Sequence, residues 1–213
     1  MQFLKDKMLF FSLFLFFEIF LLYFLWIYPK GQEFLILNEI HNPSLDGFFK
    51  WITFLGDWPA YLIALIFLVP KYKLKGVLLV CSLSILVPVS SHWSKSYFKH
   101  PRPSLFFKDK VEFEHLYLIK GVKLHDGLTS FPSGHTLSAF AVFSLLVFYT
   151  KKNGLCTILC LKAAILVGIS RIYLLQHFVE DVLMGSFLGL LLAMFIYYFS
   201  SHPKVLKSTI TTD

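Results

Sequence analysis

Charge is scarce in this chain. Only 15% of its 213 residues are Asp, Glu, Lys or Arg, against 56% hydrophobic and 18% aromatic, too few ionic groups to clothe a soluble domain of this size. An integral membrane protein is therefore expected. Cysteine is sparser still: Cys81, Cys156 and Cys160 all lie in apolar runs. Their spacing suits neither a zinc knuckle nor a disulfide framework, so they read as buried apolar side chains. No long linker, low-complexity tract or internal repeat divides the chain, which favours one domain over residues 1–213. A cleavable leader is also disfavoured. Lys5 and Lys7 precede the first apolar run, but Tyr28-Pro29-Lys30 ends it with no small-x-small cleavage site, and it reads as a retained span. The net charge of +7 does not point to nucleic acid, because the basic residues are scattered between apolar runs. Membrane orientation accounts for most of them better.

The apolar runs predict an all-α bundle of six transmembrane helices. Met8 to Tyr28 is long enough, at ~1.5 Å per residue, to cross a ~30 Å hydrocarbon core. Gly31 to Gly56 mixes Glu33, Asn38, Glu39, His41, Asp46 and Lys50 with Phe, Leu and Trp, the pattern of an amphipathic segment lying along the interface. Trp58 to Pro70 is a short second span bounded by Pro59 and Pro70, with Lys71, Lys73 and Lys75 free to snorkel. Gly76 to Ser94, Phe131 to Tyr149, Leu155 to Arg171 and Phe178 to Phe199 complete the set. An even number of crossings puts both termini on one side. Lys5, Lys7, Lys71, Lys73, Lys75, Lys151, Lys152, Lys204 and Lys207 all fall on that side, which the positive-inside rule makes cytoplasmic.

This topology gathers three polar clusters at the opposite, outer face. Lys95 and Arg102-Pro103 follow the third span, Pro132-Ser133-Gly134-His135 opens the fourth, and Ser170-Arg171 closes the fifth. His177 and Asp181 open the sixth. Open backbone amides and the positive end of a helix dipole at Ser133 and Gly134 suit an anion, with Pro132 in the helix's first turn. His177 and Asp181, four apart, share a helix face, so the carboxylate can orient the imidazole and leave its other nitrogen free to attack. Lys95, Arg102 and Arg171 supply charge for non-bridging phosphate oxygens.

In their order and spacing these clusters resemble the three-part signature of the type 2 phosphatidic acid phosphatase family, without a departure between Lys95 and Asp181. The resemblance implies metal-independent dephosphorylation of a lipid phosphate through a phosphohistidine on His177. His135 would protonate the leaving group, Asp181 would orient His177, and Lys95, Arg102, Ser133, Gly134 and Arg171 would hold the phosphate. No cofactor is expected.

Other readings compete with this one. Two histidines and an aspartate resemble a zinc triad, but three cations beside a metal would repel it. A six-span transporter would hold its charges at the midplane rather than at one face. Vanadium haloperoxidases share a similar signature but are soluble. A lipid phosphotransferase using the same phosphohistidine is the nearest competitor. Outside the clusters, His41, His92, His100, His115, His125 and His202 read as interfacial or solvated, although His92 and His100 flank Lys95. Glu18 sits mid-span, where a charge needs a partner, and Lys162 is the candidate. The loop from 104 to 130 is a candidate lid over the headgroup. The compact chain looks bacterial and inner-membrane, and the outward-facing substrates on offer are undecaprenyl diphosphate, phosphatidylglycerol phosphate, phosphatidic acid and lipid A phosphates. Loops this short favour a polyprenyl diphosphate or a glycerophospholipid phosphate over a disaccharide.

Overall fold

The computed structural model describes residues 2–108, 116–151 and 153–201. Helices and turns, with no strands, make up these residues. They are α1 (Gln2–Asp6), α2 (Met8–Ile27), α3 (Gln32–Asn38), α4 (Pro43–Ile52), a 3₁₀ turn (Thr53–Gly56), α5 (Trp58–Tyr72), α6 (Leu74–Phe98), α7 (Pro103–Phe106), α8 (Gly134–Tyr149), α9 (Gly154–Tyr173) and α10 (Val179–Ser201). Local chemistry sets several boundaries. The Asn42 side chain accepts from Leu45 N at 3.0 Å and Pro43 opens the first turn of α4, while Asn153 caps α9 through Cys156 N at 3.1 Å; each satisfies an amide that the helix itself leaves unpaired. Gly31, at φ 97°, starts α3 in the left-handed region, where a Cβ would stand 2.5 Å from Phe107 Cζ.

Helices stand at all six expected spans, but their ends differ from expectation. Among the described residues four helical segments are long and apolar enough to cross a membrane, Met8–Ile27, Leu74–Phe106, Gly154–Tyr173 and Val179–Ser201. A fifth arises if Pro43–Gly56 and Trp58–Tyr72, bent by 58° at their junction, form one broken span. Pro70 does not end α5, which continues through it to Tyr72, and α6 runs to Phe98 rather than Ser94.

α8, 16 residues long, lies at the centre. Every residue from Thr136 to Tyr149 is buried. Its closest neighbour is α10, where a Cβ on Gly185 would stand 2.8 Å from Ser133 O and one on Gly189 2.5 Å from Leu137 O. Only glycine allows this approach, the close small-residue packing that holds helices together where lipid offers no hydrophobic drive. Phe10, Phe14 and Phe17 of α2 pack on the other side, with Phe14 and Phe17 against Phe140. The opposite face of α2 leaves Leu15, Phe16, Ile19, Phe20 and Tyr23 exposed, as a lipid-facing surface would be.

Three expectations change. Cys81 is exposed on α6 rather than buried, because the outside of such a bundle is itself apolar. Glu18 pairs with Ser186 of α10, whose Oγ donates to it at 2.6 Å, whereas Lys162 is exposed on α9. Such a bond between spans contributes on the order of 1 kcal/mol. His41 is not solvated: its Nδ1 lies 2.9 Å from Asp46 Oδ1 with its side chain 6% exposed.

The bundle has two distinct ends. At one, Lys7 Nζ donates to Thr150 O at 2.6 Å, Tyr72 Oη to Tyr149 O at 2.7 Å and Lys75 Nζ to Ser200 O at 2.9 Å. The three polar clusters lie at the other.

Candidate active site

The last turn of α6 carries Lys95, and the chain then turns through Lys99, at φ 50°, into the segment bearing Arg102. That segment is pinned to residues 127–130: Arg102 N donates to Gly127 O at 2.9 Å and Ser130 N to His100 O at 3.1 Å. Next, Ser133 N donates to Asp181 O at 2.9 Å, joining the start of α8 to the start of α10. His177 N and Gln176 N both reach Arg171 O, at 3.2 and 2.9 Å, so the end of α9 hands the chain directly to His177. Backbone hydrogen bonds thus lace the three clusters together.

Side chains complete the site. His177 is 2% exposed and Asp181 fully buried. His177 Nδ1 lies 3.3 Å from Asp181 Oδ2, and Arg102 Nη1 lies 3.2 Å from His177 Nε2. A guanidinium can only donate, so Nε2 carries a lone pair and Nδ1 carries the proton that points at Asp181. Burial first, and then the charges of Arg102, Arg171 and Lys95, hold this imidazole well below the usual histidine range, leaving it neutral. Asp181 Oδ2 also accepts from Ser130 Oγ at 2.5 Å and Phe178 N at 2.9 Å, and these fix the carboxylate that fixes the ring.

Arg102 is held by Thr129 Oγ1 through Nε at 3.3 Å and by Gln176 O through Nη1 at 3.0 Å. Arg171 Nη1 donates to Thr53 Oγ1 at 2.8 Å, while its buried Nε has no partner among the described residues. α8 begins at Gly134 with Ser133 as its cap, so Pro132 precedes the helix instead of lying in its first turn. Ser133 Oγ accepts from Thr136 Oγ1 at 2.8 Å and keeps its own proton to donate. A Cβ on Gly134 would stand 3.7 Å from Lys95 Nζ, which places the ammonium beside the start of α8. His135 and Arg171 line a cavity of 630 Å³ with Lys50, Thr53, Lys123, His125 and Gln176. His135 also borders a second cavity of 510 Å³ with Trp58, Tyr61, Val87 and Ser91. All eight residues expected in the site are therefore gathered at one end of the bundle.

Sequence reasoning missed several contributors. Thr53 and Gly56 come from the segment read as merely interfacial, and a Cβ on Gly56 would meet His135 Cβ at 2.7 Å. Glu33, in the same segment, accepts from Gly31 N at 2.9 Å and Val179 N at 3.2 Å and so ties down the start of α10. Burial raises its pKa above the usual carboxylate range. Ser130 and Gln176 sit beside recognised motifs and carried no pattern of their own. Of the flanking histidines, His92 is exposed, His100 Nδ1 lies 3.7 Å from Glu180 and His125 lines the larger cavity. His115, His202 and residues 109–115 of the candidate lid lie outside the described residues. Among the described residues, the donors grouped closely enough for a metal ion are His100, Glu180 and Asp181, a set that omits both His135 and His177, and Lys30 Nζ already sits on Glu180.

A neutral, oriented imidazole facing three cations, in an all-helical bundle with membrane-length apolar helices, defines a phosphate-handling membrane enzyme. The chain belongs to the PAP2 superfamily, which it matches over residues 76–203. It is 34% identical over 173 residues to the lipid A 4'-phosphatase of Porphyromonas gingivalis, covering 77% of this chain and 70% of that protein. It is also 38% identical over 89 residues to phosphatidylglycerophosphatase B of Bacillus subtilis, 38% of this chain and 44% of the relative. The fold is similar to that of Aquifex aeolicus LpxE, with a TM-score of 0.64, 27% identity and coverage of 79% and 94% of the two chains. A transmembrane PAP2-type phosphatidylglycerolphosphate phosphatase from Bacillus subtilis gives 0.63, 25%, 93% and 96%. This chain is a membrane lipid phosphatase, a hydrolase.

Proposed function

We propose that the protein hydrolyses a lipid phosphate at the outer face of a bacterial inner membrane through a phosphohistidine on His177. The observation that carries this reading is the ring of His177, with Nδ1 on Asp181 and the lone pair of Nε2 facing the cations. His177 Nε2 attacks phosphorus, the P–N bond forms as the P–O bond to the lipid breaks, and His135 gives its proton to the departing oxygen. Water then attacks the phosphohistidine, His135 takes the water's proton, and inorganic phosphate leaves. Lys95, Arg102, Arg171, the Ser133 hydroxyl and the amides at the start of α8 hold the non-bridging oxygens while charge builds on them. Asp181 stabilises the imidazole as it turns cationic.

The single bundle folds as one domain with six crossings, α2, α5, α6, α8, α9 and α10, and α3 and α4 lie at the outer interface. The shared end of the bundle at Lys7, Lys75 and Thr150 supports cytoplasmic termini, because those connections carry the basic residues. A cysteine placed near Lys123 should then react with a membrane-impermeant thiol reagent in intact cells, and one beside Lys151 should not. The reverse pattern would move the substrate to the inner leaflet.

The substrates to compare are phosphatidylglycerol phosphate, lipid A phosphate, phosphatidic acid and undecaprenyl diphosphate, the first two because relatives carry those names. Purified protein should release inorganic phosphate in excess chelator and be inhibited by orthovanadate, which imitates five-coordinate phosphorus. Activity that vanished with chelator and returned with zinc would defeat the mechanism.

A further inference from the structure

The reaction as described leaves one buried group beside the nucleophile unused. Gln176 immediately precedes His177 and is 3% exposed. Its Nε2 donates to Lys123 O at 3.1 Å and Leu174 O at 3.3 Å. Both partners are carbonyls that can only accept, so the amide cannot flip without setting oxygen against oxygen. Oε1 is consequently fixed as an acceptor, and it has no partner among the described residues. A buried acceptor left unpaired is costly, and such groups mark places where something else completes the bond.

The surroundings indicate what completes it. Gln176 is a wall residue of the 630 Å³ cavity whose lining includes His135 and Arg171. In the proposed mechanism the phosphate is held at the His135 and Arg171 end, which leaves the rest of the space for the headgroup next to it. Lys123 and Lys50 stand in the lining, with Lys50 Nζ bonded to Lys120 O. Burial and the charges of Arg102, Arg171, Lys123 and Lys95 hold His125, a further wall residue, below the usual histidine range. A wall residue with an unpaired acceptor, in a lining otherwise rich in donors, calls for a ligand that brings both a hydroxyl donor and negative charge.

We infer that Gln176 is a specificity-determining residue whose amide oxygen accepts a hydrogen bond from a hydroxyl on the headgroup beside the reacting phosphate, so that the cavity selects glycerol or sugar phosphates. Polyprenyl phosphates and phosphatidic acid have no such hydroxyl and leave the acceptor unpaired. A site built to receive a hydroxyl discriminates strongly against the analogue that lacks it. The inference rests on the lipid phosphatase reading above and adds to it the chemistry of the headgroup.

The test compares substrates that differ by one hydroxyl. In detergent, wild-type kcat/KM is measured on phosphatidylglycerol phosphate and on its analogue with a propane-1,3-diol phosphate headgroup. A second pair, a lipid-anchored glucosamine 4-phosphate and its 3-deoxy analogue, separates sugar from glycerol. At least one pair should show a preference for the hydroxylated member of about 10- to 100-fold, the penalty of one unpaired buried acceptor. Gln176→Met keeps the length of the side chain, removes the acceptor and should collapse that preference. Equal use of both members in both pairs by the wild type overturns the inference, as does a uniform loss in Gln176→Met with the preference intact, which would mean that the residue only holds the loop at Lys123. Absence of phosphate release from every lipid would instead refute the phosphatase reading and this inference with it.

Discussion

Replacing Gly56 by alanine probes a contact between the active site and a segment that looks peripheral in the sequence. The added Cβ would lie 2.7 Å from both His135 Cβ and His135 O and 2.8 Å from Val167 Cγ1. Ordinary contact begins near 3.4 Å, so the 3₁₀ turn or the start of α8 must move by about 0.7 Å, a distance at which overpacking costs roughly 1–3 kcal/mol. His135 O belongs to the first turn of the buried central helix and cannot swing aside as a side-chain tip would. Its imidazole therefore shifts relative to the leaving oxygen. Misplacement by about 1 Å costs on the order of 100-fold in rate, so kcat/KM should fall by about 10- to 100-fold while helix content is retained. Gly47→Ala is the control. Nothing among the described residues lies within 4 Å of its added Cβ, and alanine inside α4 should leave kcat/KM alone and stabilise by roughly 0.5–1 kcal/mol. Steady-state kinetics and thermal unfolding in detergent measure both variants. Wild-type kcat/KM in Gly56→Ala would refute the coupling to His135, whatever the melting temperature.

His177→Ala should abolish both turnover and the trapped phosphoprotein, whereas His135→Ala should still label slowly with a good leaving group, because general acid help is worth about 10²- to 10⁴-fold; full activity in His177→Ala would end the assignment. Asp181→Asn should cut kcat by roughly 10³- to 10⁴-fold by favouring the wrong tautomer, while Ser130→Ala, which removes one donor to the same carboxylate, should cost about 10-fold, and equal losses would show that Ser130 does more than steady Asp181. Because the folded state holds His177 neutral well below 6.5, the unfolded chain takes up the proton first as pH falls. Stability should therefore drop between pH 7 and pH 5, and by less in His177→Asn; identical pH profiles by thermal unfolding would contradict the neutral imidazole.

The legible parts of the site share one property: each functional group lies within a few residues of another. Ser170-Arg171 and His177 with Asp181 are read from one stretch, and Pro132 to His135 from another, so spacing alone reveals them. Thr53, Gly56 and Glu33 escape because their roles exist only across the bundle, where Thr53 meets Arg171 and Glu33 meets Val179. No local pattern distinguishes them from an ordinary amphipathic face. One signal was present and unused. Gly185 and Gly189 stand four apart in α10, the spacing that marks a close helix crossing, and they identify the partner that brings α8 against Asp181. The apolar runs located every bundle helix but not its ends, since Pro70 and Pro88 sit inside helices whose neighbours tolerate the missing hydrogen bond.

Charge balance among the cations of the site carries the last expectation. Arg102 and Arg171 are 8% and 7% exposed and Lys95 stands half-buried next to them; of the carboxylates near them among the described residues, Asp57 beside Arg171 is exposed and Asp181 spends Oδ2 on Ser130, Phe178 and His177. Three cations with so little counter-charge repel one another in a weakly screened space. Bound phosphate supplies the missing negative charge and a partner for Arg171 Nε. An anion that binds only the folded state stabilises it by mass action, by about 2.7 kcal/mol at a hundred times its dissociation constant. Inorganic phosphate and orthovanadate should therefore raise the melting temperature in proportion to occupancy, where sulfate at equal ionic strength separates binding from salt effects. His177→Ala should keep most of the phosphate shift because the cations remain, and Arg171→Ala should lose most of it. A shift that survived in Arg171→Ala and vanished in His177→Ala would mean that the imidazole, not the cationic cage, holds the phosphate.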